Sequence, residues 1–182
     1  VHTMAFTAKE SSGPTYSVTR LCESLIKWGH PAKLAALDMG ESSIQKKYIK
    51  HFKMGFGPKK LGRSPEMNQW LFEHAKSKSV NIFHTHGIWM MPNVYPGKIA
   101  SKSNLKLVAS PRGCFTKYAM KNGSPIKKLF WPLVQRPALK AVHCFHATAM
   151  AEYADIRRLG FVSKVLARNN VVSIIAAINP YD

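Results

Sequence analysis

The sequence predicts an α/β fold, in which a parallel sheet carries helices on both faces and forms a single domain. Short apolar runs of strand length alternate along the chain with segments of helical periodicity. In the central stretch, residues 80–89, a short apolar run ends in two histidines, a glycine and an aromatic residue, and this predicts a buried strand of a parallel sheet. With 182 residues, 46% of them hydrophobic, the chain is long enough for one substantial core.

The first predicted unit is β-α-β. Residues 1–8 form a strand, a small-residue loop leads into a helix whose apolar spacing runs over residues 18–28, and residues 32–38 form the second strand. Gly29 stands where a glycine favours the end of a helix. This order of elements is the one that builds parallel sheets.

The next segment is less regular. Residues 39–63 are basic and poorly periodic, which predicts a surface excursion with a short amphipathic helix around residues 44–52. A helix then begins at Ser64-Pro65-Glu66, where proline suits the first helical position, and runs to about Ser77. It leads into the central strand.

The rest of the chain continues the alternation. A helix ending near residue 103 is followed by a strand over 105–110. Helical segments are predicted over 115–141, broken at Gly123-Ser124-Pro125 and bounded by Pro132 and Pro137. A strand over 141–148 and a helix opened by residues 151–155 come next. Residues 165–178 fit either a strand-turn-strand unit or a final helix.

Two histidines and a glycine end the central strand. His84 and His86 face the same way while the strand lasts, and Gly87 lets the backbone turn away. Ligands of open α/β sheets bind at the carboxyl ends of strands. The same histidines also fit core or strand-end positions satisfied by backbone groups. Neither has a Cys, Asp or Glu partner at ligand spacing, so no metal site is predicted.

Three more candidates follow other strands. Gly13 lies between a strand and a helix start, where free N–H groups face a phosphate. Arg112 stands between proline and glycine, as a clamp for phosphate or carboxylate would. Glu152 lies near a helix start, where the dipole alone favours a carboxylate. An ordinary turn and a solvent-exposed arginine are the plain alternatives. Because parallel strands end at one edge, these features and His86 predict a single crevice.

The charge balance predicts anionic partners. The chain has 27 Lys and Arg residues against 9 Asp and Glu, a formal net charge of +18. Such a surface attracts nucleic acid, anionic lipid headgroups or phosphorylated substrates, although a solvated face without a partner is the alternative. Nucleic acid is not expected, because aromatic residues are not interleaved with the basic runs.

The expected location is the cytoplasm, with a peripheral position at the inner membrane face. Three cysteines form no spaced motif, which argues against a disulfide framework. No apolar run reaches the length of a membrane span, and the N-terminus lacks the basic leader of a signal peptide.

Several motifs follow one another along the chain. They are Ser12-Gly13-Pro14-Thr15, Trp28-Gly29-His30, His84-Thr85-His86-Gly87-Ile88-Trp89, Ser110-Pro111-Arg112-Gly113, and His146-Ala147-Thr148 with Glu152. In this order and at these separations they resemble the N-terminal domain of retaining, GT-B type glycosyltransferases of family 4, over about residues 1–162. Residues 163–182 diverge from that family.

The resemblance implies a Rossmann-like, acceptor-side domain for sugar transfer from a nucleotide sugar, in polysaccharide or lipid-linked glycan synthesis. It implies that Gly13, with Pro14 and Thr15, lies near the donor diphosphate. It assigns His86 to contact with the transferred sugar, as the catalytic residue, and Arg112 to anion or acceptor binding.

The supporting residues implied by the resemblance are His84, Trp89 and Glu152. No cofactor and no metal are expected, since the nucleotide sugar is a donor substrate. The expected partners are a donor-domain chain, a sugar or lipid-linked acceptor and an anionic membrane surface. Self-association through an apolar interdomain surface is a further expectation.

Family members also have a second domain that holds the nucleotide sugar and carries a characteristic pair of glutamates. The sequence contains no such pair. We therefore expect half of a glycosyltransferase, which transfers little or no sugar alone. The alternative is a non-catalytic module that binds sugar, phosphate or anionic lipid.

Overall fold

The computed structural model of the protein describes residues 1–7, 13–40, 43–121 and 125–158. In this part of the chain, six strands form one parallel sheet in the order β3-β2-β1-β4-β5-β6. The strands are β1 (His2–Phe6), β2 (Leu34–Leu37), β3 (Ile49–Phe52), β4 (Ile82–His86), β5 (Lys106–Ser110) and β6 (Cys144–Phe145).

Helices alternate with these strands. The α-helices are α1 (Gly13–Lys27), α2 (Pro65–Lys76), α3 (Met91–Ala100), α4 (Lys117–Lys121), α5 (Pro125–Phe130), α6 (Arg136–Leu139) and α7 (Met150–Arg158). A 3₁₀ turn (Lys59–Leu61) precedes α2, and a π-helical turn (Trp131–Gln135) joins α5 to α6. The predicted Rossmann-like α/β fold is confirmed.

Both faces of the sheet pack against helices, as the alternation of side chains in β2 shows. Leu34 and Ala36 belong to a cluster that includes Val18 and Cys22 of α1. Ala35 and Leu37 belong to a larger cluster on the opposite face, with residues of α2 and α3. Each fully buried leucine of this kind contributes about 1.5–3 kcal/mol to folding.

The sheet order reverses direction at β1. The chain moves outward from β1 to β2 and β3, then returns to the other side of β1 with β4 and continues to β5 and β6. In open α/β sheets the crevice for ligands lies at the carboxyl ends of the strands on either side of such a reversal. Here these strands are β1 and β4, so His86 ends a strand at the reversal point.

The predicted helix boundaries are confirmed where capping chemistry marks them. The Ser64 side chain accepts a hydrogen bond from the Met67 N–H at 3.3 Å, and Pro65 opens α2. Past the end of α1, Gly29 adopts φ +80°, and the next N–H donates to the Leu25 carbonyl at 2.9 Å. A glycine tolerates this left-handed conformation without a Cβ penalty.

The amphipathic helix predicted around residues 44–52 is wrong. Ile49–Phe52 instead forms β3, an edge strand parallel to β2. The segment is short and only Phe52 is fully buried, so its sequence carries a weak strand signal. The Lys50 ammonium lies over the Phe52 and Trp70 rings, at 5.2 and 5.6 Å, which covers the edge with a charged side chain.

Other differences concern the second half of the chain. The strand predicted over 141–148 contains only Cys144–Phe145. Pro132 lies in the π-helical turn, where its missing N–H breaks the α-helical ladder, and Pro137 lies in the first turn of α6. The predicted break at 123–124 and the elements proposed for 165–178 lie outside the described residues.

Candidate functional site

Three of the predicted site residues lie close together at the carboxyl edge of the sheet. Arg112 contacts His86 directly and is linked to Gly13 through Ser17. Its Nη1 donates to Ser17 Oγ at 2.9 Å, and its Nη2 lies 3.4 Å from His86 Nδ1. The Ser17 hydroxyl in turn donates to the Gly13 carbonyl at 2.9 Å. The start of α1, the end of β4 and the turn after β5 thus meet at one point.

Arg112 is held in an unusual backbone conformation and a partly desolvated position. It adopts φ +56°, followed by Gly113 at +74°. Burial lowers the pKa of Arg112, while the Glu152 carboxylate acts in the opposite direction by a smaller amount. In the described part of the chain, no acidic side chain forms an ion pair with it, and its buried Nε has no hydrogen-bond partner. A guanidinium in this state is suited to an incoming anion.

Glu152 holds the turn that carries Arg112. Its carboxylate accepts hydrogen bonds from the Gly113 N–H at 2.9 Å, the Thr148 N–H at 2.7 Å and the Thr148 hydroxyl at 2.8 Å. The residue is 5% exposed. These bonds tie the loop after β5 to the start of α7, so the geometry gives Glu152 a positioning role.

His86 is buried between two hydrogen-bonding neighbours. Its imidazole is 4% exposed, and its Nε2 lies 3.1 Å from His2 Nδ1 on the adjacent strand. Burial lowers the pKa of His2 to about 3 and the pKa of His86 well below its usual range. Desolvation therefore favours the neutral form of both rings, in which each imidazole can donate one hydrogen bond and accept another.

His84 begins a second pair of contacts on the same face of the sheet. Its Nε2 lies 2.8 Å from Ser110 Oγ, and that oxygen lies 2.9 Å from His146 Nδ1. Burial also lowers the pKa of His84 and of His146. We call these polar residues the histidine cluster: His2 on β1, His84 and His86 on β4, Ser110 on β5, and His146 directly after β6.

The three residues predicted at the start of α1 differ in their exposure to solvent. A Cβ added to Gly13 would meet nothing within 4 Å, and Pro14 is exposed. Thr15 is 2% exposed, so its side chain faces the core. A phosphate at this helix start would meet backbone N–H groups and not the Thr15 hydroxyl. The loop over residues 8–12 lies outside the described residues.

The family model described as Glycosyltransferase Family 4 matches residues 11–171. The chain belongs to glycosyltransferase family 4. No curated protein shows significant similarity to it. The match and the parallel sheet together identify the N-terminal, Rossmann-like domain of a GT-B glycosyltransferase of this family.

In this glycosyltransferase domain, Trp89 connects the site to the helical segment after it. The residue has φ +80°, and its backbone N–H donates to the buried Gln135 side chain at 2.9 Å. The indole packs against Trp131 at 5.4 Å between centroids, and the Lys127 ammonium lies 4.8 Å from the ring centroid. Trp89 therefore carries contacts from the end of β4 to α5.

The histidine cluster brings together potential metal-binding atoms, yet its hydrogen bonds argue against a metal. One ring nitrogen each of His2, His84 and His86 lies within 4.8 Å of the others. Arg112 donates to His86 Nδ1, so the proton of His86 belongs on Nε2, the atom facing His2. Binding a metal through Nε2 would move that proton to Nδ1 and place two donors face to face. The absence of a metal remains a prediction.

Four contributors to this site were not assigned a role from the sequence. Ser17 lies inside a helix and His2 near the start of the chain, and neither position carries a motif of its own. Ser110 and His146 stood in motifs without a separate role. The available signal was the alternation in β1, which places His2 on one face, but its use requires knowing that β1 lies next to β4.

Among the described residues, no helix combines the length and the apolar character that crossing a bilayer requires.

Proposed function

We propose that this glycosyltransferase domain binds the acceptor and the phosphate side of a nucleotide sugar, in polysaccharide or lipid-linked glycan synthesis. In this proposal, catalysis requires a second, donor-binding domain or chain. The observation that supports it best is Arg112, a desolvated cation without an acidic partner in the described part of the chain. A diphosphate would supply the missing charge.

Sugar transfer from a nucleotide sugar requires stabilisation of negative charge. As the bond between sugar and diphosphate breaks, negative charge develops on the leaving phosphate. A fixed guanidinium and the backbone N–H groups at the start of α1 stabilise such charge without reorganising. His86, neutral and hydrogen-bonded, would then orient the transferred sugar.

A second cleft at the same edge of the sheet is the proposed acceptor site. It has a volume of about 750 Å³ and lies at the ends of β2 and β3, lined by Asp38, Lys53, Phe56 and Lys59, among others. Phe56 is 93% exposed, so the cleft offers an apolar surface beside two lysines. That combination suits an acceptor with an anionic group and an apolar portion.

The first test of this proposal measures ligand binding. We expect nucleotide sugars to raise the melting temperature of the 182-residue chain, since a ligand that binds only the native state stabilises it. Replacement of Arg112 by Gln should abolish that increase. Arg136→Gln is the matched control, because Arg136 is an exposed arginine on α6. Equal stabilisation of both variants would contradict the assignment of Arg112.

A second test measures turnover. The chain alone should release little or no nucleotide from a nucleotide sugar, and addition of a donor-domain chain should increase transfer. Robust transfer by the purified chain alone would show that no second domain is needed.

A non-catalytic binding module is the second candidate function. The burial of the His86 imidazole favours it, because a sugar must displace a neighbour to reach that ring. In that case, His86→Ala should leave ligand binding unchanged while Arg112→Gln removes it. Loss of binding in both variants would favour the transferase.

A further inference from the structure

Both ring nitrogens of His86 are used by contacts within the domain. Its Nδ1 lies 3.4 Å from Arg112 Nη2, and its Nε2 lies 3.1 Å from His2 Nδ1. A neutral imidazole has one donor and one acceptor, so these two contacts use both. The ring is also 4% exposed, so its neighbours in the protein decide which nitrogen carries the proton.

The guanidinium fixes the direction of these two hydrogen bonds. Arginine only donates, so His86 Nδ1 accepts and the proton of His86 lies on Nε2. That proton points at His2 Nδ1, which accepts it, and the proton of His2 therefore lies on its own Nε2. The hydrogen bonds run from Arg112 to His86 and from His86 to His2. The opposite tautomer of either ring would place two N–H groups face to face.

The contact between His2 and His86 has the geometry of a hydrogen bond in the plane of both rings. The ring planes differ by 12°, and the centroids are 5.4 Å apart. This separation equals roughly the 3.1 Å between the nitrogens plus one ring radius on each side, so both nitrogens lie near the line between the centroids. The centroid of the His84 ring lies 4.0 Å from that of His86, as a packing neighbour. His2 is thus the residue that receives the His86 proton.

Backbone hydrogen bonds on both sides of β1 hold His2 in place. The His2 N–H donates to the Lys33 carbonyl at 2.8 Å, and the His84 N–H donates to the Val1 carbonyl at 2.9 Å. His2 is in register with His84, yet its buried ring reaches His86, two residues further along β4. The acceptor is therefore carried by the centre of the sheet, which positions a site more accurately than a loop does.

We propose that His2 is a positioning residue for Arg112, which acts by fixing the tautomer of His86. The Nδ1 atom of His2 accepts the Nε2 proton of His86, and this leaves His86 Nδ1 as the acceptor that holds Arg112 Nη2. Ser17 holds the other terminal nitrogen of the guanidinium. The inference rests on the proposed function for the anion that binds at Arg112. The tautomers themselves can be measured without any ligand.

Two substitutions of His2 separate this role from simple packing. His2→Leu fills much of the space of the imidazole but offers no acceptor. His2→Asn is smaller, and its side-chain oxygen can take the place of Nδ1 and accept from the His86 Nε2–H. If His2 only filled space, the leucine variant would be the milder one. The proposal expects the asparagine variant to be the milder one.

The first experiment is nitrogen NMR of the 182-residue chain, labelled with ¹⁵N in its eight histidines, at neutral pH. The spectra of His2→Asn and His86→Ala assign the signals of the two rings. In wild type, both His2 and His86 should carry their proton on Nε2. In His2→Leu, His86 should show both tautomers, and in His2→Asn it should return to the Nε2–H form. A proton on Nδ1 of either ring in wild type, or an unchanged His86 tautomer in His2→Leu, would overturn the proposal.

The second experiment measures the affinity of the same chain for inorganic pyrophosphate by titration calorimetry. His2→Leu should weaken binding about fivefold, the effect of one lost hydrogen bond, and His2→Asn should restore most of it. The control is Leu34→Ala, because Leu34 is in register with His2 on β2 and belongs to the apolar cluster. It should bind like wild type wherever circular dichroism shows that it is folded.

The outcomes distinguish this inference from the proposed function. Equal loss of affinity in His2→Leu and His2→Asn, or in His2→Leu and folded Leu34→Ala, would overturn the positioning role. Pyrophosphate binding that is unchanged in Arg112→Gln, or absent in wild type, would contradict the proposed function of Arg112. In that case the tautomers of His2 and His86 alone would decide whether His2 positions the arginine.

Discussion

Two halves of one sheet face carry opposite chemistry. On the side covered by α1, strands β1 and β2 contribute Met4, Leu34 and Ala36 to an apolar cluster. On the same side, the histidine cluster occupies β4, β5 and the position directly after β6, with His2 at the border. The alternation of residues is the same in both halves. Only the residue type at the inward positions differs, so one half forms a core and the other half carries the candidate site.

The two halves are therefore stabilised by different kinds of interaction. The apolar half is stabilised by burial, which tolerates a change of pH. The polar half is stabilised by hydrogen bonds between neutral imidazoles, and these depend on protonation. A site built in this way can be altered without loss of the core.

The largest expected effect is that acid destabilises the polar half of this sheet face and leaves the apolar half unchanged. Burial lowers the pKa of His2 to about 3, and those of His84 and His86 well below 6.5, so the unfolded chain binds protons that the folded chain does not. The stability that these three histidines contribute is therefore full above pH 6.5 and falls as the pH decreases below it. Each of them contributes up to about 1.4 kcal/mol per pH unit, and the three together up to about 4. Urea unfolding between pH 7 and 5 measures this slope.

Two variants test whether the histidine cluster causes the dependence of stability on pH. His2→Leu should reduce it, because one of the four imidazoles of the cluster whose pKa burial lowers is removed. Leu34→Ala, in the apolar half, should lower stability equally at every pH and leave the slope unchanged. An identical slope in wild type and His2→Leu would show that the acid sensitivity has another origin.

The second prediction concerns the apolar half. Leu34 is fully buried in β2, so Leu34→Ala should lower the free energy of unfolding by about 2–5 kcal/mol through lost burial and a cavity. Anion binding at Arg112 should persist in the folded fraction, because Leu34 is outside the histidine cluster. Loss of binding at temperatures where the variant is still folded would mean that the two halves are coupled.

The smallest expected effect comes from the support of Arg112. Glu152→Ala leaves the Gly113 and Thr148 N–H groups without their acceptor and should cost about 1–3 kcal/mol of stability. It should also weaken nucleotide-sugar binding, since the turn that positions Arg112 is released. Glu152→Gln retains one acceptor oxygen, so its stability and its nucleotide-sugar binding should lie between those of wild type and Glu152→Ala. Wild-type binding by Glu152→Ala would restrict Glu152 to a structural role.

The sequence predicted the fold and the edge of the sheet where the site lies, because both follow from local patterns. Strand ends at His86 and Arg112 are marked by glycine and proline, and helix α2 by its capping residues. The contact between His2 and His86 could not be predicted, because it depends on which strands become neighbours. Edge strand β3 was missed for a related reason: a short strand buried mainly at Phe52 has little periodicity.

The two terminal nitrogens of Arg112 are already engaged, one with Ser17 and one with His86. Each terminal nitrogen carries two N–H groups, so each keeps one that these contacts do not use. The contacts to Ser17 and His86 therefore fix the plane of the guanidinium and leave it a donor on each terminal nitrogen. An anion that binds there would find the side chain already oriented, and the loss of side-chain entropy on binding would be smaller.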